Sequence, residues 1–206
     1  MVAAVEFDKK RKKEKLFTFE EYLKKEEKAV DKNEFYKGQI LKMPGAKYRH
    51  NQVASNMIYA LIQATNDLKT PYHILNSDQK IYIEQEDVSV YPDALVICEV
   101  PIFWQGREDI IVNPLVVVEV SSRSTSSFDR TTKFWWYKNL ESFKEYVVID
   151  PDKALVETWF KQDENTWITT NKNDVSEIFL LKSIGISISL SDVYRKVDFP
   201  EKPVKK

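Results

Sequence analysis

The sequence predicts a mixed α/β fold, a β-sheet with helices on its faces, and three observations carry that expectation. Apolar residues recur at helical intervals from about His50 to Lys69. The Val-rich run Leu115–Val120 reads as a strand covered on both faces. Helix-like and strand-like segments also follow one another along the whole chain rather than falling into two blocks.

The elements follow in order. Thr18 and Glu21 have capping-box spacing, so a helix starts at Thr18 and carries Phe19, Tyr22 and Leu23 on one face. Gly38 marks a tight hairpin or bulge between two short strands, and Pro44 ends the second. In the long amphipathic helix the apolar stripe is Val53, Met57, Leu61, Ala64 and Leu68. Strands are expected at Tyr72–Leu75, Lys80–Glu84, Asp93–Cys98 and Leu115–Val120. A second helix runs from about Asp129 to Leu140, with Phe128, Trp135 and Trp136 as its apolar, core-directed content. Tyr146–Ile149 is a buried strand, Ala154–Phe160 and Thr166–Thr169 form a hairpin, and Ile178–Ser189 is a strand pair broken at Gly185. One domain spans 16–195, between a basic tail over residues 1–15 that reads as disordered and a C-terminal tail over 196–206.

Composition removes several classes of function. In 206 residues, 31 Lys and Arg against 32 Asp and Glu leave a net charge of −1, which argues against binding nucleic acid by bulk charge. The four glycines are isolated, so neither a P-loop nor a dinucleotide-binding turn is present. A single cysteine, Cys98, excludes a disulfide framework and a thiolate zinc cluster, and His50 and His73 are too far apart for a zinc helix. Any metal must therefore be held by carboxylates, which favours Mg²⁺ or Mn²⁺. Without a secretory segment or an apolar run near the ~18 residues that span a bilayer, the expectation is a cytoplasmic protein with no membrane partner.

Glu119 lies inside the apolar run Leu115–Val120. Desolvating an isolated carboxylate costs several kcal/mol, so it must be paired, protonated or bound to a cation. Asp93 opens an apolar strand 26 residues earlier, a gap that fits two neighbouring strands. Carboxylates meeting there would repel unless a divalent cation intervened. Glu34 begins the first hairpin, where an exposed edge glutamate is the plain alternative. Lys133 stands four residues after Asp129, a spacing that also fits a simple surface pair. His50 opens the long helix as a cap, a surface residue or a ligand.

Taken in order, Glu34 before Phe35-Tyr36-Lys37-Gly38, His50, Pro92-Asp93, Val117-Val118-Glu119-Val120, Ser124-Thr125, Asp129-Arg130, Lys133, Tyr137 and Glu145–Pro151 resemble the Uma-type restriction endonuclease family. That family is a branch of the PD-(D/E)XK nuclease superfamily. The resemblance covers roughly residues 16–195 and implies a restriction-endonuclease-like core. It implies that Asp93 and Glu119, with the carbonyl of Val120, hold Mg²⁺ or Mn²⁺, and that Glu34 is the earlier acidic position beside the site. Lys133 corresponds to a catalytic lysine moved onto the following helix. The residue two beyond Glu119 is Ser121, where the superfamily has lysine, and Ser121-Ser122-Arg123 stands where the narrower family usually has Leu-Ser-Pro.

The chemistry implied is metal-dependent hydrolysis of DNA phosphodiesters, with Lys133 orienting the nucleophile or contacting phosphate. His50, Arg123 and Arg130 are the candidate phosphate contacts. Cutting both strands of a duplex would suit a homodimer. The rival readings are a catalytically inactive nuclease-fold domain that binds DNA or a protein partner, and an assembly protein using Trp135-Trp136-Tyr137 as an oligomer surface.

Overall fold

A computed structural model describes residues 15–121 and 126–200, so the tails at 1–14 and 201–206 and the candidate contact Arg123 lie outside the described residues. Thr18 caps the first helix, α1 (Phe19–Glu26), with its hydroxyl accepting from the Glu21 N–H while the Glu21 side chain accepts from the Thr18 N–H. The hairpin of β1 (Asn33–Tyr36) and β2 (Gln39–Lys42) turns on Lys37 and Gly38, both at positive φ (49° and 90°). A Cβ at Gly38 would also press on Leu16 at 3.1 Å.

The long helix is α2 (Tyr48–Thr65), followed by β3 (Tyr72–Asn76), β4 (Lys80–Ile83), β5 (Val88–Val90), β6 (Ala94–Cys98), β7 (Ile110–Ile111) and β8 (Val116–Val120). Next comes a composite helix, α3: Ser126–Phe128 is α-helical, Asp129–Lys133 is π-helical, and Phe134–Tyr137 returns to α. The chain continues through β9 (Glu145–Ile149), β10 (Val156–Lys161), β11 (Trp167–Lys172), β12 (Ile178–Leu181), β13 (Ile186–Ser189) and α4 (Leu190–Val193).

These strands form a six-stranded sheet, β11-β10-β9-β8-β6-β3, a five-stranded sheet, β2-β1-β5-β4-β7, and the β12–β13 hairpin. In the larger sheet β8 runs parallel to β9 and antiparallel to β6. The architecture is mixed α/β, as expected. Alternation along β8 divides the core. Val116, Val118 and Val120 pack with Val53, Met57 and Leu61 of α2 and with the β12–β13 hairpin. Val117 turns the other way, toward Phe134 and Tyr137 of α3 and the apolar side chains of β4 and β5. Packing on both faces is what makes this strand almost wholly apolar.

Three features depart from the expected elements. The short strands β5 and β7 carry too few residues to show a period. Trp135 is 61% exposed, with the Lys138 ammonium 4.0 Å from its ring centroid, and Trp136 is half-buried; the core positions are Phe134 and Tyr137. Tyr137, four residues after Lys133, and Phe134, one turn before Tyr137, lie on the inner face with Asp129 and Lys133, which leaves Trp135 on the outer one. Beyond residue 195, Val197 and Phe199 still pack against the core, Phe199 edge-on to Tyr194. Among the described residues, no helix is long and apolar enough to cross a membrane.

Candidate active site

Glu119 occupies the one inward position of β8 that is not apolar, 4% exposed on the α3 side of the sheet. Its Oε1 accepts from the Lys133 ammonium at 3.1 Å and from the Tyr137 hydroxyl at 3.0 Å. Both donors come from α3, where Asp129, Lys133 and Tyr137 recur every fourth residue and share the inner face.

The β6–β8 ladder pairs Ala94 with Val118, and one step further it brings Asp93 across from Glu119. Asp93 Oδ2 accepts the Val120 N–H at 2.7 Å and lies 3.2 Å from His50 Nε2 at the start of α2. Glu34 comes from the smaller sheet. Its Oε2 accepts from the Tyr36 hydroxyl, and its Oε1 accepts the Tyr91 N–H at 3.4 Å and stands 3.8 Å from Lys133 Nζ.

Asp129 is buried too, at 4% exposure, which makes the Asp129–Lys133 pair an internal one rather than a surface one. Asp129 Oδ2 accepts from the Ser121 hydroxyl at 3.0 Å, Oδ1 lies 3.6 Å from Lys133 Nζ, and its carbonyl accepts from the Tyr146 hydroxyl at 3.0 Å. Ser121, two residues beyond Glu119, thus has its hydroxyl bound to a fourth carboxylate.

The electrostatics reflect this crowding. Burial, and then the like charges of Asp129, Asp93 and Glu34, push the Glu119 carboxyl up to about 8 against the pull of Lys133. Burial alone would lower the Lys133 ammonium, but Glu119 and Glu34 lift it well above its ordinary value. Burial likewise draws His50 down, and its bond to Asp93 more than reverses that.

Among the described residues, Glu34, Asp93, Glu119 and Asp129 therefore face one lysine and one histidine, a carboxylate-rich setting that suits a cation. Among the described residues no three acidic, histidine or cysteine side chains converge into a ready-made cage. The donor set fits an ion that takes one or two carboxylates and keeps its waters, which is the habit of Mg²⁺.

Of the expected phosphate contacts, His50 sits at the site on Asp93, whereas the Arg130 guanidinium is paired with Glu157 of β10. The spacing of Asp129, Lys133 and Tyr137 was the available signal for the two residues sequence reasoning passed over. Tyr36, whose hydroxyl donates to Glu34 two residues earlier on β1, carries the period-two signal of a shared strand face.

The family Uma2, described as "Putative restriction endonuclease", matches residues 19–191. The uncharacterized protein sll1609 of Synechocystis sp. is 34% identical over 156 residues, 76% of this chain and 87% of that protein. A second uncharacterized Synechocystis protein, slr1290, is 31% identical over 180 residues, 87% of this chain and 92% of its own. Among solved structures, one from Anabaena variabilis described as "a putative nuclease belonging to DUF820" has a TM-score of 0.66. It is 18% identical, and the match covers 86% of this chain and 97% of that one, a likeness of fold.

Proposed function

Because this chain belongs to the Uma2 family, we propose that it is a metal-dependent DNA endonuclease whose site is the carboxylate cluster around Lys133. The observation that carries the proposal is that Glu34, Glu119 and Asp129, from three separate segments, surround the buried Lys133 ammonium, while Asp93, across the β6–β8 ladder from Glu119, is held by the Val120 N–H and His50. A core built only for stability has no reason to gather four desolvated carboxylates.

Asp93, Glu119 and the Val120 carbonyl would hold Mg²⁺ or Mn²⁺, which supplies an acidified water and neutralises charge on the scissile phosphate. The protein's own groups do the rest. Tyr137 fixes the orientation of Glu119, and the Val120 N–H fixes that of Asp93. Lys133 supplies a positive charge for the non-bridging oxygens, which gain negative charge in the transition state. Glu34, steadied by Tyr36 and Tyr91, sets the far side of that lysine. His50 keeps a second positive charge at the rim when protonated, where it can position a phosphate.

Nicking of supercoiled plasmid in Mg²⁺ or Mn²⁺ tests this reading. Wild type should convert plasmid to open-circular or linear form, EDTA should stop it, and Asp93→Ala should be inactive while folded. Metal-dependent DNA binding without cleavage by wild type would instead favour an inactive nuclease-fold domain, for which Ser121 in the usual lysine position speaks.

A further inference from the structure

We propose that Asp129, anchored by Ser121, is a positioning residue that draws Lys133 off Glu119 and so frees Glu119 for a cation. The inference rests on the reading that Glu119 is a metal ligand. A cation on Glu119 would share one carboxylate with the Lys133 ammonium, which bonds Oε1 at 3.1 Å, and the two positive charges would repel. A buried lysine displaced from its partner needs another charge close by, because a dry site strongly disfavours an unpaired ammonium.

Two acceptors are within reach, Asp129 Oδ1 at 3.6 Å and Glu34 Oε1 at 3.8 Å. They are not equivalent. Both Glu34 oxygens already accept, from Tyr36 and from the Tyr91 N–H, and Glu34 belongs to the other sheet. Asp129 lies on the same helix as Lys133, four residues earlier, and among the described residues only its Oδ2 accepts a hydrogen bond, from the Ser121 hydroxyl. That bond turns Oδ1 toward the ammonium. The Tyr146 hydroxyl on the Asp129 carbonyl pins the backbone of the π turn, so the receiving oxygen stays in place while the lysine moves. A shift of well under a side-chain length converts a 3.6 Å approach into a hydrogen bond. Ser121 then has a purpose where the superfamily keeps its lysine: it orients the carboxylate that holds the lysine supplied by the helix.

The test is Mn²⁺ binding by titration calorimetry, with no nucleic acid present and with folding of each variant checked by circular dichroism melting. Lys133→Met removes the repelling charge and should tighten Mn²⁺ binding. Asp129→Asn should weaken it by roughly ten- to a hundredfold, the usual scale for a residue that supports a metal ligand. In the Lys133→Met background the same Asp129→Asn change should have no further effect, because Asp129 acts through the lysine. Continued weakening in that background would make Asp129 a direct ligand and overturn the proposal. Unchanged Mn²⁺ affinity in Asp129→Asn would overturn it and leave the metal site standing, whereas no Mn²⁺ heat in wild type would remove the metal site itself and the proposal with it. Should Asp129→Asn fail to fold, the Ser121 variants decide: Ser121→Ala should weaken Mn²⁺ binding, and Ser121→Thr, which keeps the hydroxyl, should restore it. Equal affinity in the two variants and wild type contradicts the proposal.

Discussion

Replacing Glu119 with glutamine should stabilise the metal-free protein at pH 8 and leave it nearly unchanged at pH 5. Burial and neighbouring carboxylates raise this carboxyl from 4.5 to about 8 in the folded state. The folded protein therefore binds a proton that the unfolded chain releases earlier. Its stabilising contribution is full below about 4.5 and is lost as pH rises through about 8. Each tenfold of proton affinity is worth about 1.4 kcal/mol, so this interval sets a ceiling of about 5 kcal/mol on the loss. That ceiling already includes the pull of Lys133; relaxation of the site and entry of water around the ionised carboxylate reduce it further, leaving an expected difference of about 2 kcal/mol between wild type and Glu119→Gln at pH 8. For a chain of this size that is about 4–8 °C in Tm. Guanidinium unfolding of both proteins in EDTA at the two pH values measures it, and the difference between them cancels the titration of His50 and Glu145. A Glu119→Gln variant that loses about 3–5 kcal/mol at both pH values would refute the reasoning, since that is the mark of a buried ion pair kept for stability.

Other outcomes rest on the same geometry. Asp93→Asn should abolish Mg²⁺-dependent nicking at a stability cost of about 1 kcal/mol or less, because the amide oxygen can still accept the Val120 N–H; Asp93→Ala strands that N–H and should cost about 1–3 kcal/mol. The His50 imidazole, followed by NMR, should titrate above its ordinary 6.5 in wild type and fall in Asp93→Asn, where only Asn51 and Asp129 still act against burial. The stabilisation it gains from Asp93 is full below 6.5 and fades as pH rises through the raised value. Glu145→Ala should lower Tm by about 6–12 °C, because this fully buried carboxylate accepts from the Lys182 and Ser183 N–H groups and the Ser183 hydroxyl. That variant should nick DNA normally where it is folded, and loss of nicking in the folded protein would contradict a purely structural role.

Much of this was legible from residue order. A carboxylate inside Leu115–Val120 cannot be indifferent to its surroundings, and the 26-residue spacing to Asp93 fits two neighbouring strands, which pair antiparallel. Thr18, Gly38 and Gly185 marked local geometry, because capping and positive φ depend on few neighbours. Less visible was anything decided by packing between distant segments. The burial of Asp129 depends on the π turn and on Ser121, and nothing in a single i, i+4 acid–lysine pair distinguishes an internal pair from a surface one. Trp135 and Trp136 read as core by hydropathy alone, but the face turned inward is the one that carries Asp129, Lys133 and Tyr137, and hydropathy does not foresee a buried charged stripe. Arg130 carries the right charge for phosphate, while its partner Glu157 stands 27 residues further along the chain on β10, beyond any local pattern.

The most direct test of the central claim is an anomalous-difference map from a crystal soaked in Mn²⁺. The account predicts a peak bound by the carboxylates of Asp93 and Glu119, with Lys133 moved toward Asp129. A map with no peak there, or with Mn²⁺ bound only by residues away from both carboxylates, would contradict it.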